Sequence, residues 1–562
     1  MSSRGEKETV NLVRTIYTNH KNYWKEQASL MRKLKGTYET RMFEGLDWDK
    51  SNIRVEIAEG FAFVEGYIAS LFSKFPAVEV GKDSVRKGND KVVKVLANRW
   101  LYDQRQVLEN GSRLAIIYPN SFFKLAHRES STVFDRISIR PVPPWEIIVD
   151  NDASKWNEQR FVGHSYFLPV SKAKELYGAK KYQAVVKSDY FQQDAHPYKT
   201  SQDEDIPDEY KYIEVIELYD LIYDCLYIWS PNYSGGEKLL DEVSPIPVRT
   251  YDDCPLPPIV PLYYARIPDS PMEGYSSLYR IYDQIYEKNI VRSFWANAIR
   301  RDSRQFLYKE GSIDEEGLAK ITAGVDGAMI PIDGETLEGI IKVVEVPALS
   351  SNFDRYLGAI EADLSRGSVL APFTQGVATN ATATEVAALA SYTASQIGKM
   401  ARERDEAIEM IANIYNRMLI DIIKAEDIED TVVTDGEVYR VTADKLDGKF
   451  RFAASDQSNT PVASVMKRNE LTQLLPVLQA LGIDPSKIRE EIVRQFDLPK
   501  AFNDVPVQEA PAAPGPATQT VEPNASALPA EALSQQLAGG VPASDVPLPE
   551  QGVQTGNPGA KY

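Results

Sequence analysis

The stretch SPMEGYSSLYRIYDQIYEKNIVRSFWANAIRRDSRQFLYKEG, residues 270–311, decides how the rest of the chain is read. Leu278, Ile281, Ile285, Asn289, Arg292, Trp295 and Ile299 recur at three-to-four spacing, the period of a helix face. Neither Gly nor Pro interrupts the run between Tyr275 and Glu310. The pattern therefore predicts one helix of about 30 residues, roughly 45 Å long at 1.5 Å per residue.

Downstream lies a Gly-rich mixed stretch with strand-like GAMIPI (327–332) and GIIKVVEV (339–346), then a shorter helix in PALSSNFDRYLGAIEADLSRGS (347–368). LAPFTQGVATNAT (370–382) reads as a loop of small and turn residues. A very long amphipathic helix follows over 382–427, with Leu389, Tyr392, Met400, Ile408, Ile411, Tyr415, Met418 and Ile422 on one face. Short strands are expected in 431–454 and two helices in 466–499, joined at Gly482–Pro485. Beyond Pro506 the chain is Ala, Pro, Gln, Gly and Ser with almost no aromatics, a composition that cannot bury a core and is expected to be disordered.

Upstream, Val13, Ile16, Tyr17, Tyr23, Trp24, Ala28, Met31 and Leu34 predict a first helix. Ile53, Ile57, Phe61, Val64, Ile68, Leu71 and Phe75 predict a second, ended by Pro76, and a third is expected from Asp90 to Arg113. Strands are expected in 114–128, 136–142, 146–150, 161–170 and 212–229, with SPNYSGGEK (230–238) as a turn. The front of the chain is thus mixed, and the fold class expected for the whole is α+β.

The chain has 562 residues, enough for three or four domain-equivalents at about 150 residues each. With 63 Lys and Arg against 81 Asp and Glu, its net charge is −18. That excludes a uniformly basic nucleic-acid coat, though not a local basic belt. The thirty tyrosines suit large contact surfaces and core packing alike. Cys225 and Cys254 form no disulfide framework or CxxC pair and are expected to be reduced, buried thiols. No run of 18 apolar residues predicts a membrane span, and the charged N-terminus MSSRGEKETVN lacks the apolar core of a signal peptide.

Familiar catalytic signatures are missing from the sequence: no GxxxxGK[ST], GxGxxG, HExxH or GxSxG occurs. His20, His127, His164 and His196 stand without metal-ligand spacing and read as structural or surface residues. The acidic clusters at Asp203–Asp205 and Glu315–Glu316 read as solvated loops rather than a two-metal nuclease site. No catalytic residue, metal or cofactor is expected, and the sequence argues against an enzyme.

Several stretches resemble bacteriophage portal proteins, the head–tail connectors of tailed phages, and more specifically the podovirus type. RPVPPWEIIVDNDASKWNEQRFVGHSYFLPVSKAKELYG resembles the wing, where an Arg-Phe-Val strand precedes a short helix ending in Tyr-Gly. PLYYARIPDSPMEGYSSLYRIYDQIYEKNIVRSFWANAIRR resembles the passage from a Gly-Tyr-Ser turn into a long helix carrying an Asn. NATATEVAALASYTASQIGK resembles the Ala-Thr-Glu entry to the helix after the channel loop. The resemblance spans about residues 5–500. The Ala/Pro tail departs from it, since the family often carries longer helices there, and speaks against a large helical barrel.

The resemblance implies a portal fold: a mixed α/β wing (1–270, completed by the long helix and strands of 385–455), stem helices at 271–303 and 347–368, a small α/β clip at 304–346, a tunnel loop at 369–384, a helical crown at 456–505 and a disordered tail at 506–562. It implies a dodecameric ring at one capsid vertex of the virion, assembled in the host cytoplasm, whose bore passes double-stranded DNA without sequence readout during packaging and ejection. It further implies contacts with the terminase large subunit, with the head–tail adaptor or tail proteins, and with major capsid and scaffolding proteins. Pro372, Gln375, Gly376 and Asn380 are the channel residues expected of the tunnel loop. On the stem, Lys288/Arg292 and Arg300/Arg304 are i,i+4 pairs that each share a helix face and could form a belt of positive charge. The competing expectation is that they pair with Asp283, Glu287, Asp302 or a neighbouring subunit. Readings from other classes are a DNA-processing enzyme (a nuclease or packaging ATPase) and another internal virion protein.

Overall fold

The computed structural model describes residues 5–44, 52–73, 75–80, 90–130, 132–178, 211–250, 252–267, 270–302, 306–308, 313–317, 319, 341–343, 351–368, 383–426, 430–434, 437–446 and 450–454. The chain divides into two units, Met1–Leu498 and Pro499–Tyr562, and every described residue belongs to the first. The tunnel loop residues Pro372, Gln375, Gly376 and Asn380, the expected crown and the C-terminal tail lie outside the described residues, as does Arg304.

The architecture is α+β, as the sequence indicates. Helix α1 (Glu6–Tyr38) buries Val13, Tyr17, Trp24, Ala28, Met31 and Leu34, the stripe read from its periodicity. Helices α2 (Glu59–Leu71), α3 (Asp90–Asp103) and α4 (Arg105–Ile117) follow, and a long helix, Ala383–Glu426, runs through the same core. Its 44 residues bury Ile397, Ile408, Ile411, Tyr415, Met418 and Ile423. Tyr415 stacks on Trp100 of α3 with ring centroids 4.2 Å apart. Arg404 is 1% exposed, donates to the Leu71 carbonyl and pairs with Asp405 at 2.6 Å, so the buried charge is neutralised where it sits.

Two larger antiparallel sheets complete this portion, beside four two-stranded pairs among the described residues. One has three strands, Ser121–His127 between Ile137–Val142 and Ile259–Leu262. The other has four, in the order Ile147–Val149, Phe161–Pro169, Tyr212–Asp220, Cys225–Trp229. A buried ionic network spans them. Lys124 of the first sheet pairs with Glu217 of the second, and Tyr166 and Tyr219 donate to that carboxylate at 2.7 and 3.0 Å. His164 sits fully buried between Lys124 (3.0 Å) and Arg140 (2.7 Å), so burial and two cations push its pKa well down. Burial would raise the Glu217 carboxyl, but Lys124 and the hydroxyl donors hold it below its usual range.

Four expectations are corrected. The segment before Glu59 is not helical: residues 53–57 run extended, and only Glu59–Leu71 is helix. The helix expected over Asp90–Arg113 is two helices broken at Gln104. LAII, read as strand, is the last turn of α4, because a short apolar run fits a buried helix as well as a strand. Both cysteines are free, but Cys225 is half-buried and Cys254 exposed, so neither is the buried thiol expected.

Candidate functional site

The 30-residue helix is shorter than its sequence suggests. Residues Ser270–Gly274 form a short strand, Leu278–Ile281 a 3₁₀ turn, and the α-helix α6 spans Tyr282–Asp302, where α5 is Val170–Tyr177. The Gly-Tyr-Ser turn explains the start. A Cβ on Gly274 would overlap the Pro119 carbonyl, so the backbones approach as only glycine allows. Ser276 then donates to the Ile117 carbonyl at 2.7 Å and accepts from the Tyr279 amide at 3.1 Å, capping the turn. Beyond Asp302, Phe306–Tyr308 is a strand paired antiparallel with Ile341–Val343.

Helix α7 (Ser351–Gly367) returns alongside α6. Glu287 accepts from the Tyr356 hydroxyl and Trp295 packs edge-on against Phe353 at 6.2 Å. Lys288 meets Glu361 at 3.3 Å. Gly367 lies against Ile281, Glu361 against Lys288 and Phe353 against Trp295, so the two helices are antiparallel.

A second element lies along α6. Asn289, Ser293 and Asn297 stand four apart and face the extended segment 53–57. The Ile57 amide donates to Asn289 Oδ1 (3.0 Å), the Val55 amide to Ser293 Oγ (2.9 Å) and the Ile53 amide to Asn297 Oδ1 (2.7 Å). Asn297 Nδ2 returns a bond to the Ile53 carbonyl at 2.8 Å. Three helical side chains thus serve alternate amides as a neighbouring strand would. Sequence reasoning counted Asn289 among the stripe residues and passed over the other two; the signal was the N-x₃-S-x₃-N spacing inside an uninterrupted helical run.

What α6 does not bury is equally informative. Phe294 is 70% exposed, Ile299 57% and, on α7, Tyr356 49%. These are large side chains left open to solvent on the paired helices.

The stem cations separate. Lys288 is buried and held by Glu59 and Glu361 rather than by the neighbours expected on its own helix. Arg292 is exposed, its guanidinium 5.9 Å from the Trp295 ring centre. Arg300 lies in the last turns of α6, its side chain outside the described ones. Among the described residues no group of three His, Cys, Asp or Glu could hold a metal, and no helix is long and apolar enough to cross a membrane. His20 takes a structural role, its Nε2 lying 2.8 Å from the Trp145 carbonyl oxygen.

No family model matches the chain, and no curated protein does. Among solved structures, it is similar to a chain described as the neck of an empty GTA particle computed with C6 symmetry. That similarity covers 82% of this chain and 93% of the other, at 12% identity and a TM-score of 0.40. Likeness at that level establishes neither a common fold nor a common activity.

Proposed function

We propose that the chain is a non-enzymatic, portal-type head–tail connector of a tailed-phage virion. Twelve copies would close a ring at one capsid vertex, pass double-stranded DNA in packaging and ejection, and dock the terminase large subunit and then the tail adaptor. The observation that carries this reading is the antiparallel pair α6/α7, joined through a small strand pair and bearing open Phe294, Ile299 and Tyr356. Open aromatic and aliphatic side chains on a helix pair suit burial against neighbours, and a ring supplies those as copies of the same chain. The sequence resemblance over about residues 5–500 gives the neighbours their geometry.

Within this reading Arg292 is the exposed stem cation for passing phosphates, whereas the charge of Lys288 is already spent on two carboxylates. Arg300, Arg304, Pro372, Gln375, Gly376 and Asn380 keep the channel roles that the resemblance implies. Capsid and scaffolding proteins are the remaining partners, and assembly in the host cytoplasm the expected setting.

Negative-stain imaging and mass photometry of the purified chain test the proposal. A closed ring near twelve copies is expected without DNA or nucleotide, and F294D/I299D is expected to leave a folded monomer. A wild-type protein that stays at its 63.0 kDa monomer mass across concentration and salt refutes it.

A further inference from the structure

Helix α1 walls a cavity of about 370 Å³. Three parts of the fold meet there: residues 16–31 of α1, the edge strand Ile147–Val149 of the four-stranded sheet, and the turn 274–276 that leads into α6. Trp24, Met31, Phe122, Ile147 and Ile148 form its buried wall. Asn19, Asn151, Tyr275 and Tyr279 are exposed and mark its mouth. Among the described residues that line it there is no Asp, Glu, Lys or Arg, although these are 26% of the chain. A charged ligand would leave its hydration behind and meet no opposite charge on this wall.

One polar atom of the wall is fixed and unused. His20 Nε2 lies 2.8 Å from the Trp145 carbonyl oxygen, which can only accept, so Nε2 carries the proton and Nδ1 is an acceptor. Among the described residues nothing donates to Nδ1. Burial lowers the imidazole pKa to about 4, so at neutral pH the ring offers a lone pair and no charge.

We infer that this cavity binds a small uncharged aromatic molecule with an N–H or O–H donor, its rings against Trp24 and Phe122 and its donor on His20 Nδ1. Size sets the class. An apolar cavity of about 150 Å³ holds a benzene ring, so this one has room for a fused ring system. It lies near the lower end of small-molecule sites, about 300–1,000 Å³, and shares their make-up of apolar and aromatic walls with a few polar groups. Its tyrosine, tryptophan and phenylalanine rings favour an aromatic ligand through edge-to-face and offset contacts. They would also attract a cation, but a cation here would be desolvated with no carboxylate among the described lining residues. One copy builds the site, so the inference does not depend on the ring reading above.

Saturation-transfer difference NMR on the full chain at neutral pH tests it with four probes: indole, benzofuran (the same shape with oxygen in place of N–H), indole-3-acetate and choline. Indole is expected to bind with a Kd of about 0.3 mM and benzofuran about tenfold more weakly, the scale of one hydrogen bond. His20→Phe keeps an aromatic ring in the wall and is expected to bring the two within about twofold of each other. Circular dichroism and melting temperature check its fold, and the wild-type comparison decides the matter even where the variant fails to fold. Benzofuran binding wild type as tightly as indole overturns the inference, as does an indole Kd above about 5 mM. Indole-3-acetate or choline binding as tightly as indole overturns the uncharged class. N-acetyltryptophanamide binding more tightly than indole assigns the cavity to a side chain presented by another protein and overturns the inference as well.

Discussion

Replacing Asn289, Ser293 and Asn297 together by alanine should release the segment 53–57 from α6. Asn289 is 1% exposed, so its removal leaves the Ile57 amide without a partner, at about 1–3 kcal/mol for an orphaned buried group. Ser293 is buried and its loss costs a similar amount, whereas Asn297 is more open and contributes less. Alanine returns roughly 0.6 kcal/mol of helix propensity at each Asn site. The net loss is about 3 kcal/mol, equivalent to roughly 150-fold faster local opening. Hydrogen exchange read by mass spectrometry with electron-transfer fragmentation of peptides covering 52–58, which resolves single amides, measures it directly. The expected signature alternates: the amides of Ile53, Val55 and Ile57 exchange faster, while those of Arg54 and Glu56, which the ladder does not serve, stay as they were. Unchanged exchange at the three served amides in a folded triple variant would refute the ladder as what holds this segment.

Four further outcomes are expected. His20 is held to a pKa of about 4, chiefly by burial, against 6.5 when unfolded. The unfolded chain therefore binds the extra proton between those values, and the His20 contribution to stability, complete above pH 6.5, should fall by up to about 3 kcal/mol per chain as pH drops to 4; the pH dependence of melting over pH 4–8 should become shallower in His20→Gln, the share of the buried His164 remaining. Gly274→Ala should cost several kcal/mol, because its new methyl meets a backbone carbonyl that cannot rotate away, and thermal melting or soluble yield will show it. Lys288→Met should destabilise the chain by about 2 kcal/mol, chiefly by stranding the Glu59 carboxylate, since Glu361 is 55% exposed, whereas Arg292→Gln should leave the melting temperature within about 1 °C and, on the proposed portal reading, reduce DNA retention in heads. On the proposed portal reading, Gln375→Glu with Asn380→Glu should keep the ring and lower packaged DNA, and wild-type DNA content in normal heads would remove residues 369–384 from the proposed channel.

Local periodicity carried much of the fold. The stripe of α1 and the long helix ending at Glu426 were legible because three-to-four spacing over many turns has no competing explanation. The segment 53–57 misled for the same reason: Ile53, Ile57 and Phe61 keep helical spacing, but the polar groups that decide the backbone lie more than 230 residues away. Nothing local marks Gln104, since neither Gly nor Pro stands at the break between α3 and α4. At the candidate site, the helical run of α6 could be read in advance, but its true length and the burial of Lys288 could not. Its partners come from α2 and α7, and only tertiary packing distinguishes it from the exposed Arg292 one turn on.

The asparagine–serine–asparagine ladder also makes the two strands of inheritance at this contact unequal. It addresses only main-chain groups of residues 53, 55 and 57, so the side chains at those positions can drift without touching the bonds. The helical positions enjoy no such freedom, because each needs a short polar group of the right reach. Among descendants of this sequence, substitutions should accumulate on the strap and stall at 289, 293 and 297. Proline is the exception at 53, 55 and 57, since it alone removes the donor that the ladder reads.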